Sequence, residues 1–424
     1  MATPVPDSYS VASGAVIYGG RAAPSLLLSG DWLIGGDSIT DPGYPSNAFV
    51  QALGLTRKPS LRLLKNTAVY GRTIQNVLDN LQTEVLAHSP AVYSCRIGTN
   101  SDALGASVFE AQYNLLIDRI LAAGIFMFVH AIPPKGYSSN AYIIARNATL
   151  KARCDADPLR LKFVDDCKRI AIGDYTADPD YYQKLPSVDA IHPAPIGGAR
   201  MAEDIAAVYA PMLASASGVL ATDATDVYPT NPASKQLIRN PFFTGTGGTL
   251  SAATGAAPDG WAVSTTGGAG TAMHSTIVAA DVGDTNTRPW LSMALNGSSG
   301  SGQGAKISQT LQNPAFAAGP SLLRLDTGLE LRFVGLNTAY ISTIEINTQD
   351  LYGGQDVSEE FMFLHDSGVL SKTFTLRHAP TRNTAVPIQA NGLRFFVNVN
   401  FSTAFAAFIG RVDVRCPATR WSDN

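Results

Sequence analysis

An α/β domain with a parallel sheet, followed by an all-β domain, is the fold class that this sequence of 424 residues predicts. Between about residues 26 and 214, apolar segments of strand length alternate with longer segments of helical periodicity, which is typical of βαβ units. From about residue 236, helical periodicity gives way to short alternating segments between turns rich in Gly, Asn and Ser, which predicts an antiparallel β-sandwich.

The first domain is expected to contain five strands, because five segments are rich in residues that suit burial on both faces of a sheet. They are residues 31–36, 61–69, 91–97, 125–132 and 161–166. Helices are predicted over 72–87, 106–123 and 196–213, where apolar residues recur every three to four positions. In the second of these helices, the residues expected to face the sheet are Leu115, Ile117, Ile120 and Leu121.

Small polar residues and prolines mark residues 215–235 as a linker. The predicted organisation is therefore an N-terminal arm over 1–25, the α/β domain over 26–214, the linker, and the β-sandwich over 236–424. Strands of the sandwich are predicted within residues 323–334, 339–347, 393–401 and 408–415.

Composition and charge argue against two classes of partner. Charged residues make up 15% of the chain, and the net charge of −3 leaves neither a basic stripe for nucleic acid nor a polybasic cluster for a membrane. The longest apolar run, residues 120–132, is shorter than the roughly 20 residues that span a bilayer. The N-terminal residues lack the charged and apolar regions of a secretory signal. We therefore expect neither a nucleic acid nor a membrane as a partner.

The four cysteines do not form a disulfide scaffold in so long a chain. Cys95 lies in an apolar run and is expected to be buried, whereas Cys154 and Cys167 could pair or stay free. The sequence contains no P-loop, no dinucleotide-binding glycine motif and no zinc-protease motif. Neither a metal nor an organic cofactor is expected, although a calcium ion in the sandwich stays open.

The segment GGDSIT (35–40) follows the first predicted strand, at the sheet edge where open α/β folds build their sites. A serine in a turn after a strand can present its hydroxyl above the sheet, while its own backbone N–H can stabilise an oxyanion. Ser38 is thus a candidate nucleophile. As an alternative, Ser38 could simply cap a helix.

The segment DAIHP (189–193) precedes the last predicted helix and contains an aspartate three residues before a histidine. Acyl transfer needs an imidazole to take the serine proton and a carboxylate to orient that imidazole. Asp189 and His192 have these chemistries. The spacing is common, so His192 could also be a loop histidine with a structural hydrogen bond.

Two further loops follow predicted strands. In IGTNSD (97–102), the amide of Asn100 can donate to an oxyanion, but Asn100 could equally be a turn residue. In NTAVYGRT (66–73), Gly71 can offer a backbone N–H at close approach, but a glycine at the entry to a helix would look the same.

Taken together, these four segments resemble the conserved blocks of the SGNH (GDSL-like) hydrolases. GDSIT matches the serine block, Gly71 the glycine block, GTN (98–100) the asparagine block, and DAIH (189–192) the aspartate–histidine block. The resemblance covers about residues 30–213. It implies a flavodoxin-like, three-layer α/β/α fold and a serine esterase that works through an acyl-enzyme without metal or cofactor.

The resemblance also implies roles for individual residues. Ser38 would be the nucleophile, His192 the general base and then acid, and Asp189 the residue that orients His192. The oxyanion would be bound by the backbone N–H groups of Ser38 and Gly71 and by the side chain of Asn100. The sequence departs from the family in reading GTNSD where members often have GTND, and its glycine block matches loosely.

Other polar residues near these segments are expected to be structural. Asp37 is expected to brace the turn of the nucleophile rather than react, and His130 to be a satisfied core histidine. The IPP segment (132–134) and Asn147 also resemble family features, with either a functional or a structural role.

The second domain resembles carbohydrate-binding modules of the jelly-roll type at its beginning (238–263) and end (408–414). Trp261 and Trp290 could stack on sugar rings, but large aromatic residues in a β-sandwich usually belong to the core. Such motifs describe a sandwich edge as readily as a glycan site, and fold analogy alone does not establish binding.

An esterase joined to a non-catalytic sandwich favours an O-acetylated polysaccharide as substrate, because tethering raises the local concentration of the ester. The features together resemble a bacteriophage tail fibre or tailspike esterase. This resemblance implies an extracellular or virion-surface location and a homo-oligomer, a trimer in the phage case. A short-chain lipase or lysophospholipase, and an inactive glycan-binding structural protein, are the alternatives.

Overall fold

The chain divides into two compact units, Met1–Ala216 and Ser217–Asn424, in a computed structural model. The structure describes residues 8–11, 15–18, 27–41, 48–58, 60–135, 140–167, 170–172, 182–183, 191–193, 195–215, 220–221, 236–266, 273–284, 286–296, 303–311, 322–350, 356–362, 369–378, 381–383, 393–403 and 405–423. Among these residues, no helix has the length and apolar character needed to span a bilayer.

Strands and helices alternate along most of the first unit. In chain order they are β1 Ser8–Val11, β2 Ala15–Tyr18, β3 Gly30–Gly36, α1 Ala48–Thr56, β4 Leu61–Asn66, α2 Ile74–Glu84, β5 Val92–Arg96, α3 Ala106–Ala122, β6 Phe126–His130, α4 Ala141–Asp155, β7 Leu161–Val164, β8 Ala171–Ile172, β9 Tyr182–Gln183 and α5 Pro195–Tyr209. A short 3₁₀ helix, Leu86–His88, follows α2. β1 and β2 form an antiparallel hairpin in the predicted N-terminal arm.

Five parallel strands form the central sheet of this unit, in the order β4-β3-β5-β6-β7. This is the strand order of flavodoxin-like folds, whose sites lie where the connections diverge, here between the carboxyl ends of β3 and β5. One apolar core joins the sheet to α1 and α5, and a second core joins it to α2, α3 and α4. The predicted three-layer α/β/α architecture is confirmed for the described residues.

The three helices predicted from periodicity are present as α2, α3 and α5, with one correction to a buried face, whereas α1 and α4 are not predicted from periodicity. In α2, Thr73 caps the helix through a reciprocal capping box with Asn76, and the buried side chains lie on one face. In α3, the prediction that Leu115 faces the sheet is wrong, since Leu115 is 43% exposed and Leu116 is fully buried. Phe109 and Tyr113 complete that face, because residues three, four and seven positions apart share one side of a helix.

The second unit consists of strands and short turns. Its strands are β10 Thr249–Ser251, β11 Thr254–Gly255, β12 Ala262–Thr266, β13 Met273–Val278, β14 Trp290–Leu295, β15 Gly304–Leu311, β16 Leu322–Asn337, β17 Ile341–Asp350, β18 Asp356–Met362, β19 Val369–His378, β20 Thr381–Asn383, β21 Leu393–Phe401 and β22 Gly410–Asp423. A 3₁₀ helix, Thr338–Tyr340, separates β16 from β17.

These strands form two runs, β10-β12-β15-β21-β17-β18 and β11-β13-β14-β22-β16-β19, and β20 pairs with β16. Most neighbours are antiparallel, but β10 with β12 and β11 with β13 are parallel. The expectation of an antiparallel sandwich is therefore wrong at these short strands. Each of the two pairings skips one strand in the sequence, so the paired strands are not joined by a hairpin, which would make them antiparallel. The jelly-roll topology stays a prediction.

The two tryptophans singled out in the sequence belong to the core, since Trp261 and Trp290 are each 1% exposed. Ala221, inside the predicted linker, is buried with Cys416 and Ala418, and its N–H donates to the carbonyl oxygen of Cys416 at 3.2 Å. All four cysteines are buried and free, so Cys154 and Cys167 do not form a disulfide.

Candidate active site

The serine turn directly follows the carboxyl end of β3. Gly36 has a φ of +152°, and a Cβ at this position would lie 2.2 Å from the carbonyl oxygen of Arg96, so only glycine fits. Asp37 donates its N–H to that same oxygen at 3.2 Å. The described helix α1 has Ala48 as its first residue, ten positions after Ser38, so Ser38 is not its cap residue. The hydrogen bond to Arg96 holds Asp37 against the end of β5, and Ser38 is the next residue.

Asp37 braces this turn, as expected. Its Oδ1 accepts the backbone N–H of Ile39 at 3.1 Å, while the N–H groups of Thr40 and Asp41 donate to its carbonyl oxygen at 3.0 Å each. Burial raises the pKa of the Asp37 carboxyl, against smaller lowering effects from the Ile39 amide, Thr99 and the charge of Arg96. This carboxyl is completely buried and serves the turn as an acceptor.

Ser38 and His192 meet in the folded chain. Nε2 of His192 lies 2.7 Å from Oγ of Ser38, and both side chains are buried, at 6% and 3% exposure. The sequence separation of 154 residues is bridged because His192 lies three residues before the start of α5, which packs on the sheet. Asp189 lies outside the described residues, so its predicted role stays a prediction.

The loop that contains Gly71 begins at the carboxyl end of β4. The N–H of Arg72 donates to the carbonyl oxygen of Val69 at 3.3 Å, and Gly71 has a φ of +73°. A positive φ at the third residue of such a turn defines type II geometry and requires glycine. Gly71 is therefore a turn glycine that precedes the α2 cap residue Thr73.

Asn100, after β5, is hydrogen-bonded to the loop that contains Gly71, which we call the glycine loop. Its Nδ2 donates to the carbonyl oxygen of Arg72 at 3.1 Å, directly beyond Gly71. An asparagine amide has two N–H groups, so one holds the loop while the second can donate to a substrate oxygen. Asn100 is exposed, so its second N–H is accessible to a substrate.

Hydrogen bonds also tie the glycine loop to the serine turn. The N–H of Val69 donates to the carbonyl oxygen of Gly36 at 3.3 Å, and the N–H of Tyr70 donates to Oδ2 of Asp41 at 2.8 Å. From the end of β4, Nδ2 of Asn66 donates to the carbonyl oxygen of Thr40 at 2.7 Å. The three loops that carry Ser38, Gly71 and Asn100 therefore form one hydrogen-bonded edge of the sheet.

An ion pair between Arg72 and Glu84 joins the glycine loop to α2. The guanidinium of Arg72 binds the carboxylate of Glu84 with two hydrogen bonds, of 2.6 and 2.7 Å, and also donates to the carbonyl oxygen of Thr67 at 2.8 Å. The hydrogen bonds from Arg72 lower the pKa of Glu84. Arg72 thereby links the loop to the end of α2.

Tyr70 is a feature of the site that sequence reasoning missed. Its ring lies nearly parallel to the imidazole of His192, with centroids 6.3 Å apart and an interplanar angle of 23°. Tyr70 is 64% exposed and its neighbour Val69 is 44% exposed, so apolar surface flanks the Ser38–His192 pair. The aromatic residue next to Gly71 was the signal available in the sequence.

Other polar residues named from the sequence have structural partners. Nδ2 of Asn147 donates to the carbonyl oxygen of Ile132 and Oδ1 accepts its N–H, so Asn147 anchors the IPP segment. His130 is fully buried and hydrogen-bonded to Asp166 and Tyr209, which confirms it as a satisfied core histidine. Among the described residues, no cluster of three or more His, Cys, Asp or Glu side chains is arranged to hold a metal ion.

No model of a known protein family and no curated protein matches the sequence. Among solved structures, similarity is found to the acetylxylan esterase Axe2 from Geobacillus stearothermophilus, with 17% identity and a TM-score of 0.34 over 45% of this chain and 96% of that chain. A GDSL-like lipase from Bacteroides thetaiotaomicron is similar with 18% identity and a TM-score of 0.32, over 42% of this chain and 86% of that chain. Similarity this distant does not assign an activity, which has to be argued from the residues of the site.

Proposed function

We propose that this protein is a serine esterase that removes O-acetyl groups from a polysaccharide through an acyl-enzyme. The observation that carries the proposal is the 2.7 Å contact between Oγ of Ser38 and Nε2 of His192 at the carboxyl edge of the parallel sheet. A hydroxyl within hydrogen-bond reach of an imidazole is the arrangement that activates a serine nucleophile.

In the acylation half-reaction, Oγ of Ser38 attacks the ester carbonyl carbon while His192 takes the serine proton. The oxyanion is stabilised by the backbone N–H groups of Ser38 and Gly71 and by the second N–H of the Asn100 amide. As this oxyanion intermediate collapses, the bond between the carbonyl carbon and the sugar oxygen breaks, His192 gives its proton to that oxygen, and the acetyl group stays on Ser38. Asp189 orients the imidazole and stabilises its charged form.

In the deacylation half-reaction, His192 takes a proton from water, and the resulting hydroxide adds to the acetyl carbonyl. The same N–H groups stabilise the second oxyanion. Its collapse breaks the bond to Oγ, which regains a proton from His192, and acetate leaves. Both halves need only groups of this chain and one water.

An O-acetylated polysaccharide is favoured as substrate by two features. The exposed ring of Tyr70 beside the catalytic pair can stack on a sugar ring, which presents an apolar face. The second, all-β unit adds a non-catalytic body to the same chain, and tethering to a polymer would raise the ester concentration at Ser38.

A short-chain lipase or lysophospholipase is the second candidate. The observation that favours it is the same apolar surface, since exposed Val69 and Tyr70 can contact an acyl chain as well as a sugar. A catalytically inactive glycan-binding protein is disfavoured by the Ser38–His192 hydrogen bond, because a protein without catalysis has no need of it.

An extracellular or virion-surface location and a homo-oligomeric state, a trimer in the virion case, belong to the same proposal. Light scattering of the purified full chain measures the oligomeric state directly. A trimer supports the tail-fibre form of the proposal, and a monomer favours a secreted esterase.

Hydrolysis of 4-nitrophenyl acetate, butyrate and octanoate by the wild type, Ser38→Ala and Ser107→Ala tests the function. Ser107 lies exposed on α3 and is the matched control for a serine-to-alanine change. We expect acetate to be preferred, Ser38→Ala to lose activity by orders of magnitude, and Ser107→Ala to match the wild type. Acetate release from O-acetylated xylan supports the polysaccharide substrate, whereas preference for octanoate would establish the lipase instead.

A further inference from the structure

A continuous network of hydrogen-bonded, buried polar side chains lies in the first unit, and the proposed catalytic mechanism does not use it. Its members come from β3, β5, β6, the segment after β7, and α5, and each is at most 1% exposed. In order of contact they are Trp32, Ser94, Tyr209, His130, Asp166 and Arg96.

The protonation state of His130 fixes the directions of the hydrogen bonds among His130, Tyr209 and Ser94, while the side chains of Trp32 and Arg96 can only donate. Burial lowers the pKa of His130 to about 4, despite the opposing effect of Asp166, so the ring is neutral at pH 7. Burial raises the pKa of Asp166, but Arg96 and His130 outweigh it, so this carboxyl is ionised. Nδ1–H of His130 therefore donates to Oδ2 of Asp166 at 2.9 Å, and Nε2 is left as an acceptor.

The directions of the hydrogen bonds made by Tyr209 and Ser94 follow from the neutral ring of His130. The hydroxyl of Tyr209 donates to Nε2 of His130 at 3.0 Å and accepts the hydroxyl proton of Ser94 at 2.6 Å. Oγ of Ser94 in turn accepts Nε1–H of Trp32 at 2.8 Å. At the other end, the guanidinium of Arg96 donates to Asp166. The Tyr209 hydroxyl is thus held by one acceptor and one donor, both on the sheet.

Two members of this network, Arg96 and Tyr209, lie next to the segments that carry the catalytic pair. Arg96 accepts the N–H of Asp37, the residue before Ser38, with its carbonyl oxygen. Tyr209 is the last residue of α5, the helix that follows His192. Because an α-helix moves as a rigid element, a shift of Tyr209 along the sheet would also shift the start of α5, three residues after His192.

Just beyond Tyr209, Nζ of Lys58 donates to the carbonyl oxygen of Ala210 at 2.8 Å, and the N–H of Leu28 donates to that of Met212 at 2.7 Å. Within α5 itself, however, the other core residues that contact the sheet are apolar. Met201, Ala202 and Ile205 of α5 are buried against the sheet, but hydrophobic contact is non-directional and tolerates sliding. Hydrogen bonds weaken steeply when their distance and angle change. Burying the ion pair of Arg96 and Asp166 costs free energy of desolvation, and such pairs often stabilise a fold no more than apolar residues of similar volume.

We propose that the Tyr209 hydroxyl, held by His130 and Ser94, is a positioning group that fixes α5 and so keeps His192 within reach of Ser38. Tyr209, His130, Asp166 and Arg96 are positioning residues, since none touches the reacting atoms. This inference rests on the proposed function only in taking Ser38 and His192 as the reacting pair.

Tyr209→Phe removes the hydroxyl and keeps the ring, which stacks on Phe128 with centroids 4.0 Å apart. The matched control is Tyr113→Phe, because Tyr113 is buried on the opposite face of the sheet and its hydroxyl has no hydrogen-bond partner among the described residues. We expect Tyr209→Phe to lower kcat for 4-nitrophenyl acetate at least about tenfold with KM unchanged, since small displacements of catalytic groups are costly. Tyr113→Phe is expected to keep wild-type kcat.

The rate at which a fluorophosphonate labels Ser38 is the second readout, and it should fall in parallel with kcat. A Tyr209→Phe protein with wild-type kcat and labelling overturns the inference, whatever its melting temperature. If Tyr209→Phe does not fold, Ser94→Ala takes its place, with the same expectation. A wild type that neither hydrolyses the ester nor is labelled contradicts the proposed function and this inference together, whereas an active wild type with an equally active variant contradicts the inference alone.

Discussion

The contact between Ser38 and His192 is the residue-scale result on which the account of function depends. Both residues could be predicted from the sequence, because each lies in a short motif with a chemical type and spacing suited to acyl transfer. The partners of other residues could not be predicted in this way. Tyr70 over His192, and Asp166 beside His130, are juxtapositions that only the packing of distant elements creates.

Asn100 provides a residue-scale prediction. Asn100→Ala removes both amide N–H groups, one of which holds the carbonyl oxygen of Arg72 at 3.1 Å. We expect kcat for 4-nitrophenyl acetate to fall by roughly 10²–10³-fold, which is the effect of one lost oxyanion donor. Steady-state kinetics measures it, with Asn80→Ala as the asparagine control, because Nδ2 of Asn80 donates within α2, to the carbonyl oxygen of Asn76. A fall of less than about threefold would remove Asn100 from the oxyanion hole.

At the scale of elements, the helices and strands of the first unit follow from periodicity, but their ends and faces follow only in part. The predicted strand over 61–69 ends at Asn66, because the chain then turns into the glycine loop. Leu115 and Leu116 are equivalent in composition, and which of them is buried depends on the rotation of α3 against the sheet. Local sequence does not specify that rotation.

The buried histidine at the end of β6 leads to a prediction about pH. The pKa of His130 falls from 6.5 to about 4 on folding, chiefly because burial disfavours the charged ring. The unfolded chain therefore takes up a proton below pH 6.5 that the folded chain refuses until about pH 4. The free energy of unfolding is highest above pH 6.5 and should decrease by up to about 3 kcal/mol toward pH 4.

Urea unfolding of the wild type and of His130→Gln at pH 7 and pH 4.5 measures this effect. The decrease in stability between the two pH values should be larger in the wild type, because only the wild type has the buried ring that must stay neutral. Equal decreases in both proteins would show that His130 does not control acid sensitivity.

For the whole molecule, the division into an α/β unit and an all-β unit could be predicted from the change in periodicity. The boundary could not be placed as well, since Leu220 and Ala221 look like linker residues but pack on Cys416 and Ala418. Nor does the sequence reveal the buried charges of the second unit. Arg415 lies 3.9 Å from the centroid of the Trp290 ring and binds Glu330 at 2.7 Å.

This buried pair leads to a prediction about stability. Arg415 is completely buried and binds Asp284 as well as Glu330, whose side chain is 4% exposed, so Arg415→Met removes the cation that both carboxylates share. We expect a loss of about 3–5 kcal/mol, most of which the double variant Arg415→Met/Glu330→Leu recovers. Urea unfolding of the full chain measures both, with kcat on the acetate ester expected to stay unchanged. A double variant as unstable as the single one would contradict this reading.

Trapping of the acyl-enzyme tests the central claim most directly. The full chain is mixed with 4-nitrophenyl acetate, quenched in acid within the first turnover, digested and mapped by mass spectrometry, with Ser38→Ala and Ser107→Ala in parallel. We predict one acetyl group on the peptide that contains Ser38 in the wild type and in Ser107→Ala, and none in Ser38→Ala. Turnover by the wild type without acetyl on Ser38, or with the same acetylation in Ser38→Ala, would contradict it.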